Sequence, residues 1–317
     1  MSRFSKEMFL QKRVINGITY TYLDHSFRIG DEVKKVSLIL GKNKEDYNDK
    51  VIEKIAAARA AYFFKNFQTY FSEEEIIKIE TEKLFYQIFF KLLDQKFQQE
   101  IWEEYLRLFL ANSMELEGST ITPQLAENID HKKKIILPEM EVKLYNNSKN
   151  AFREMRSTEL RYVIQFKQFH KRIYHEIISD AGHFKKLPNT FGYTEKAKTV
   201  PPEEVRVELK NILKSYQNKE IYPFLKPLLF HLNYQKAHPF TDGNSRLGRM
   251  ILVVQMFKQG YPPLIFKGDT SFQIRETLIE YINHNHLDFC RLCLEQYLQT
   301  SKKFWRPTIK KYLYSVN

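Results

Sequence analysis

The chain has 317 residues, of which 43% are hydrophobic and 15% aromatic, and it carries a formal net charge of +12. Its 25 phenylalanines and 19 tyrosines exclude a mostly disordered protein and predict a sizeable core, in one large or two modest domains. The excess of basic over acidic side chains favours acidic partners such as nucleotides, nucleic acid or anionic surfaces, although the lysines are scattered along the chain.

The first residues and the cysteines bear on location. The segment MSRFSKEMFLQKR has no apolar core of signal-peptide length, and no stretch is apolar over the roughly 18 residues that a membrane helix needs. Cys290 and Cys293 lie in the apolar pattern of a helix, which favours core packing over a disulfide or zinc site. We therefore expect a cytoplasmic location and no membrane partner.

Residues 12–41 have the pattern of a small antiparallel β meander of two or three strands. Asn16-Gly17 is a hairpin turn signal, hydrophobic and polar residues alternate after it, and Gly30-Asp31 marks a second turn. We assign no chemistry to this meander.

After the meander the hydrophobic period becomes helical and stays so, which predicts a mainly α fold. Ser72 followed by Glu75 forms a capping-box pattern that opens one of the helices. Pro138 marks the most plausible internal boundary, between an N-terminal region over 1–138 and a second region over 139–317. The last helical pattern ends near Trp305, and the basic C-terminal segment KKFWRPTIKKYLY is either a nucleic-acid contact or a solvated tail.

The most informative stretch is HPFTDGNSRLGR, residues 238–249. Pro239 pushes the residue before it, His238, toward extended geometry and ends the preceding helix. Gly243 and Asn244 tolerate left-handed backbone, so we expect a tight turn and then a new helix. Backbone N–H groups at such a helix N-terminus form a site for an anion.

Side chains in the same stretch extend that prediction. The new helix should begin at about Ser245 or Arg246, which places Arg246 and Arg249 on one side of its first turn, where two guanidiniums suit a polyphosphate. Asp242 offers a hard oxygen for a phosphate-bound Mg²⁺, and His238 is suited to act as a general base near neutral pH. Each feature alone is commonplace, but together they indicate a phosphate and metal site with a candidate base.

The stretch resembles the signature of the Fic domain family, HxFx(D/E)GNGRxxR. The chain matches this pattern at His238, Phe240, Asp242, Gly243, Asn244, Arg246 and Arg249. It departs at Ser245, where the family has a second glycine. The likeness extends over about 140–300, since FHKRIYHEIISDAGHFKKLPN resembles the family's helix, AG-aromatic-Arg segment and flap, with Lys185 where an Arg is usual. This implies a Fic-type helical bundle with a β-hairpin flap at about 185–200, preceded by a helical region and the meander.

The segment SMELEG is similar to the inhibitory helix pattern (S/T)xxxE(G/N) of many Fic proteins, at Ser113, Glu117 and Gly118. An ordinary helix that ends at a glycine has the same spacing. The position of the segment, at the end of a helix before the Fic-like region, favours the inhibitory interpretation. The resemblance then implies that Glu117 pairs with Arg249 and denies it to the γ-phosphate of ATP.

Fic enzymes mostly transfer AMP from ATP to a Ser, Thr or Tyr hydroxyl of a target protein, so the resemblance implies a self-inhibited protein adenylyltransferase. In that reaction His238 would deprotonate the incoming hydroxyl, Asp242 would hold Mg²⁺ or Mn²⁺, and Phe240 would anchor the loop in the core. Gly243, Asn244 and Ser245 would form the anion hole, Arg246 would assist at the phosphates, and Arg249 would bind the γ-phosphate.

The implied partners are a target protein bound along the flap, the chain itself through self-modification, and a second copy in a homodimer. No winged-helix pattern follows the Fic-like region, so we expect no nucleic-acid module. Two alternatives stay open: a catalytically weak Fic-fold module for nucleotide binding or interaction, and a Fic enzyme that removes AMP or transfers another nucleotide. Doc-type relatives, which transfer phosphate, have a Lys near the position of Ser245, so AMP transfer is favoured.

Overall fold

The computed structural model describes residues 8–29, 32–39, 49–191 and 197–314. Its described residues fall into two compact units, the first within 1–99 and 302–317 and the second within 100–301. The boundary predicted near Pro138 lies inside the second unit, and it stays a prediction about domain organisation. Within the described residues, no helix combines the length and the apolar character needed to cross a membrane.

The first unit contains a three-stranded antiparallel sheet in the order β1-β2-β3. Its strands are Met8–Ile15 (β1), Ile18–Ile29 (β2) and Glu32–Ile39 (β3). Asn16 and Gly17 between the first two have φ values of 51° and 77°, as a two-residue hairpin turn requires. The predicted meander is therefore confirmed, while its second turn at Gly30-Asp31 lies outside the described residues.

Two helices of the first unit form a hairpin, Asp49–Asn66 (α1) and Glu73–Phe89 (α2). The predicted capping box opens α2, because the Ser72 N–H donates to Glu75 Oε2 at 2.8 Å and the Glu75 N–H donates to Ser72 Oγ at 3.2 Å. Between the helices, the guanidinium of Arg59 pairs with the fully buried Glu80 at 2.8 Å.

The second unit is built from helices, and most of α3 belongs to it. Its helices are Gln95–Glu115 (α3), Pro123–Asp130 (α4), Glu139–Ser157 (α5), Val163–Tyr174 (α6), Val205–Tyr216 (α7), Leu225–Ala237 (α8), Asn244–Lys258 (α9), Ser271–His284 (α10) and Asp288–Thr300 (α11). Helix α9 is buried on nearly all sides along most of its length, so it is the central helix of the unit. Cys290 and Cys293 are buried in α11, which confirms their core packing.

The C-terminal segment corrects two expectations. The chain does not stop being helical near Trp305, because a π turn over Ser301–Trp305 leads into a further helix of the first unit, Arg306–Tyr314 (α12). Trp305, Ile309 and Leu313 are all buried, so the segment is packed and is not a solvated tail. These residues recur every four positions, which is the spacing of one helix face. Pro307 does not interrupt the helix, because it lies in the first turn of α12, where a proline is tolerated.

The base of the predicted flap is a hairpin. Thr190 and Lys198 form an antiparallel bridge, and the Phe191 N–H donates to the Ala197 carbonyl at 2.9 Å. The tip, residues 192–196, lies outside the described residues.

Candidate active site

The loop between α8 and α9 carries the sequence motif. Helix α8 ends at Ala237, as predicted, and α9 begins at Asn244, one residue before the predicted start. The expectation of extended geometry at His238 is wrong, because this residue is left-handed, with φ 42° and ψ 60°. His238 is the C-cap of α8, where its backbone N–H donates to the Tyr234 carbonyl at 2.9 Å, and helices commonly end at a residue with left-handed backbone.

Asn244 and His170 hold this loop in place. The Phe240 N–H donates to Asn244 Oδ1 at 2.9 Å, and Asn244 Nδ2 donates to the Phe240 carbonyl at 2.7 Å. The fully buried Phe240 ring stacks on His170 with 3.8 Å between centroids. The Gly182 N–H donates to His170 Nδ1 at 2.9 Å, so neutral His170 carries its proton on Nε2, which lies 3.0 Å from the Asp242 carbonyl.

The start of α9 presents unpaired backbone N–H groups. Gly243 caps the helix with a left-handed φ of 78°, and the first bond along the helix runs from the Leu247 N–H to the Gly243 carbonyl at 3.2 Å. The N–H groups of Asn244, Ser245 and Arg246 precede that bond and have no helical acceptor. Ser245 lies inside the helix and does not have a positive φ. This first turn is therefore able to bind an anion.

Tyr174, at the end of α6, lies beneath the loop. A Cβ on Gly243 would stand 2.2 Å from the Tyr174 ring, so only glycine fits this approach. The Tyr174 hydroxyl accepts a hydrogen bond from Nη1 of the buried Arg246. Burial raises the pKa of Tyr174 above its ordinary value, although Arg246 acts in the opposite direction. The hydroxyl consequently stays protonated while it orients Arg246.

Arg249 is 4% exposed and is bound to the end of α3. Its Nε donates to Ser113 Oγ at 2.9 Å and its Nη2 donates to the Ser113 carbonyl at 2.7 Å. The same Nη2 lies 2.8 Å from Glu117 Oε1. Gly118 follows with a left-handed φ of 84° and ends this region of α3.

Glu117 is charged in this setting. Burial by itself would raise the pKa of the carboxyl, but Arg249 and Arg246 together outweigh it and hold that pKa below its ordinary value. The carboxylate therefore faces two guanidiniums that stand one helical turn apart on α9.

His238 is neutral at neutral pH. Burial, and after it the ammonium of Lys185, lower the pKa of His238 to about 4. The Phe191 ring packs edge-on against the imidazole at 5.7 Å between centroids. The imidazole thus has a lone pair free to accept a proton, as a general base must.

Asp242 is the one motif residue with an exposed carboxylate, and its Oδ1 accepts the Gly243 N–H at 2.6 Å. The described part of the chain holds no cluster of three or more His, Cys, Asp or Glu side chains that would make an all-protein metal site. A Mg²⁺ that arrives on nucleotide phosphates needs only one or two carboxylates, since water and phosphate fill its other positions. An exposed Asp242 beside an anion-binding turn fits such an ion.

The predicted site residues thus lie together on one loop and the first two turns of α9, with Ser113 and Glu117 packed against them. The sequence predicted no role for His170 and Tyr174, which hold the loop. It also predicted none for Asn189, whose Nδ2 donates to the Phe240 carbonyl at 3.0 Å, or for Thr199, whose hydroxyl donates to the Asn189 carbonyl at 2.8 Å. His170 and Tyr174 were detectable, because they stand four apart on one face of a helix, directly before the segment that resembles the flap.

Comparison with known proteins agrees with this geometry. Residues 163–256 match the Fic/DOC family. Protein adenylyltransferase fic-1 of Caenorhabditis elegans is 30% identical over 115 residues, which cover 35% of this chain and 22% of that protein. Protein adenylyltransferase Fic of Nematostella vectensis is 36% identical over 69 residues, which cover 22% of this chain and 15% of that protein. The matched part therefore spans less than a quarter of the length of these curated relatives.

Solved structures show the same fold. A Fic-domain-containing signaling protein from Bacteroides thetaiotaomicron superposes with a TM-score of 0.61 at 16% identity, covering 73% of this chain and 98% of that one. A fragment of Fic-1 from Caenorhabditis elegans gives a TM-score of 0.57 at 18% identity, covering 84% and 73%. The predicted Fic-type helical fold is confirmed, and residues 163–256 of the chain are a Fic/DOC family match.

Proposed function

We propose that this chain is a protein adenylyltransferase, which transfers AMP from ATP to a hydroxyl of a target protein or of itself and which Glu117 holds inhibited. The observation that carries the proposal is the ion pair of 2.8 Å between Glu117 and Arg249, on the first turns of the helix whose N-terminus follows His238. The relatives described as protein adenylyltransferases support the reaction type.

In the proposed reaction, the target hydroxyl oxygen attacks the α-phosphorus of ATP. A new phosphate ester bond forms, the bond from the α-phosphorus to the bridging oxygen breaks, and pyrophosphate leaves with that electron pair. His238 takes the hydroxyl proton. Its low pKa keeps it neutral before the reaction, and the nearby negative phosphates would raise that pKa once ATP is bound.

The first turn of α9 stabilises the charge that builds up on the phosphates. The N–H groups of Asn244, Ser245 and Arg246 donate to the phosphate oxygens, while Gly243 supplies the left-handed turn that aims them. Arg246 adds its guanidinium, positioned by Tyr174. A Mg²⁺ or Mn²⁺ held by Asp242 would neutralise part of the phosphate charge.

Inhibition follows from the contacts of Arg249. Its Nε and Nη2 are both engaged by Ser113, and Nη2 also pairs with Glu117, so this edge of the guanidinium is closed to a γ-phosphate. The carboxylate of Glu117 would also repel that phosphate. ATP would therefore bind without its γ-phosphate contact and with its α-phosphate out of line for attack.

The test is to substitute Glu117. Glu117→Gly should raise AMP incorporation by at least about tenfold over the wild type, because one displaced charged hydrogen bond changes an equilibrium by that order. His238→Ala in the same background should abolish it. The measurement is incorporation of radiolabel from ATP with Mg²⁺, together with a mass gain of about 329 Da, an AMP group less water.

Glu115→Gly is the matched control, since it places the same substitution two residues earlier on the same helix end and should leave incorporation at the wild-type level. Incorporation that does not respond to Glu117→Gly would remove the inhibitory role. ATP binding without incorporation in any variant would instead favour a nucleotide-binding module.

We further propose that the target segment pairs with an edge of the flap, as an added strand. The antiparallel bridge between Thr190 and Lys198 supports this, because the two legs of the hairpin already pair at its base.

A further inference from the structure

Lys185 lies where the base of the flap meets the segment that carries His238. Although it is a lysine, it is only 4% exposed. Its Nζ donates to Asn189 Oδ1 at 2.7 Å, to Thr199 Oγ1 at 2.8 Å and to the Ala237 carbonyl at 3.3 Å. The three N–H bonds of the ammonium thus meet three acceptors, all of them neutral.

These contacts reach both sides of His238. The side chain of Lys185 binds Ala237, the residue before, and its backbone N–H donates to the carbonyl of Pro239, the residue after, at 2.9 Å. A histidine with left-handed backbone persists only when its surroundings hold it there, and these two bonds hold the backbone from which the imidazole extends.

The same ammonium joins the two legs of the flap. Asn189 lies on the first leg and Thr199 on the second, and the Thr199 hydroxyl donates to the Asn189 carbonyl at 2.8 Å. Asn189 Nδ2 in turn donates to the Phe240 carbonyl at 3.0 Å, inside the motif loop. Flap and loop are therefore connected through one small group of buried polar atoms with Lys185 at its centre.

We propose that Lys185 is a positioning residue, whose ammonium fixes both legs of the flap and His238 in a single arrangement. The catalytic consequence rests on the proposed AMP transfer, since a target bound along the flap would then reach His238 at a set distance. We call this arrangement the clamp. It consists of the hydrogen bonds that Lys185 makes to Asn189, Thr199, Ala237 and Pro239, and it does not depend on a bound nucleotide.

The charge of Lys185 also acts on His238. After burial, Lys185 lowers the pKa of the imidazole, while Glu117 is the charged group that raises it. Burial lowers the pKa of Lys185 itself to about 8, so the ammonium persists at neutral pH. Lys185 thus adds to the effect of burial, which keeps His238 neutral.

Three variants separate the clamp from general packing. Lys185→Met keeps the length of the side chain but removes its charge and its hydrogen-bond donors, whereas Lys185→Arg keeps the charge and the donors. Thr199→Val removes one acceptor of the Lys185 ammonium and leaves its charge in place. Hydrogen exchange reports on the Phe191 and Val200 amides, which donate to the Ala197 and Lys236 carbonyls. An NMR titration of ¹³C-labelled histidine reports the pKa of His238, and the amides of α11 report global stability.

We expect Lys185→Met to lower the protection of both flap amides by about tenfold, with α11 unchanged, and to raise the pKa of His238. Lys185→Arg should match the wild type in both readouts. Thr199→Val should lower the protection of the Val200 amide and leave the pKa of His238 where it was.

Unchanged flap protection and an unchanged His238 pKa in Lys185→Met would overturn the proposal, as would an equal loss of protection in α11. If Lys185→Met does not fold, Thr199→Val decides, and wild-type protection at Val200 in that variant overturns the clamp. Every readout is taken without nucleotide, so the role of Lys185 is decided even if Glu117→Gly transfers no AMP. Where Glu117→Gly does transfer AMP, adding Lys185→Met should lower incorporation while ATP affinity is kept.

Discussion

Ser245 is the one motif position at which the chain departs from the family signature. It lies within the first turn of α9 and has a negative φ, so a glycine is not needed there for backbone reasons. In a helix each Cα–Cβ bond tilts toward the N-terminus, which directs the serine hydroxyl toward the proposed phosphate position. The hydroxyl can therefore add a donor to the three backbone N–H groups.

This placement predicts that Ser245→Gly weakens ATP binding by about threefold, the effect of losing one ordinary hydrogen bond. Calorimetric titration of ATP with Mg²⁺ into the Glu117→Gly background measures it. Ser245→Ala is the control, since it removes the hydroxyl and keeps the Cβ, and it should weaken binding to the same extent. Tighter binding in Ser245→Gly alone would mean that the Cβ crowds the phosphates.

At the scale of elements, the sequence predicted the helices well and the loop between α8 and α9 only in part. Helix positions followed from a hydrophobic period that continues within each helix, and the capping box at Ser72 is a local pattern. The left-handed backbone of His238 and the role of Tyr174 depend on contacts between α6, α8 and α9. Such contacts leave no mark in the neighbouring residues, so local rules gave extended geometry for His238.

The contact between α6 and α9 predicts a large effect of Gly243→Ala. The substitution adds the strain of left-handed backbone, about 1–2 kcal/mol, and drives a Cβ into the Tyr174 ring, which costs about another 1–3 kcal/mol. Urea unfolding measures the loss of unfolding free energy. Gly118→Ala is the matched control, because Gly118 has φ +84° with nothing within 4 Å, so it isolates the backbone strain. Equal losses in the two variants would contradict the crowding at Tyr174.

At the scale of the whole chain, the sequence suggested candidate site residues but not the way in which distant segments meet. Glu117 and Arg249 are far apart in the sequence, and only the resemblance of SMELEG to an inhibitory helix suggested their contact. The boundary near Pro138 stays a prediction about domain organisation, while the compact units divide near residues 99 and 301. Which helices form one compact unit depends on their tertiary contacts. The hydrophobic period of the sequence therefore does not predict that α12 belongs to the first unit.

The ion pair between Glu117 and Arg249 joins two such distant segments, so it should contribute to stability in a pH-dependent way. Because Arg249 and Arg246 hold the pKa of Glu117 below its ordinary value of 4.5, the pair stabilises the fold above that pH. The stabilisation disappears as the pH falls through the lower pKa of the folded state. Since 35% of the Glu117 side chain is exposed, solvent screening limits it to about 1 kcal/mol at neutral pH.

Glu117→Gln tests this, as the amide keeps the shape of the side chain and removes its charge. The difference in unfolding free energy between the wild type and Glu117→Gln should be full at pH 7 and should shrink toward zero as the pH drops well below 4.5. Urea unfolding at a series of pH values measures it, with Glu115→Gln as the control. A difference that stays constant over the whole series would show that hydrogen-bond geometry, and not charge, holds α3 against α9.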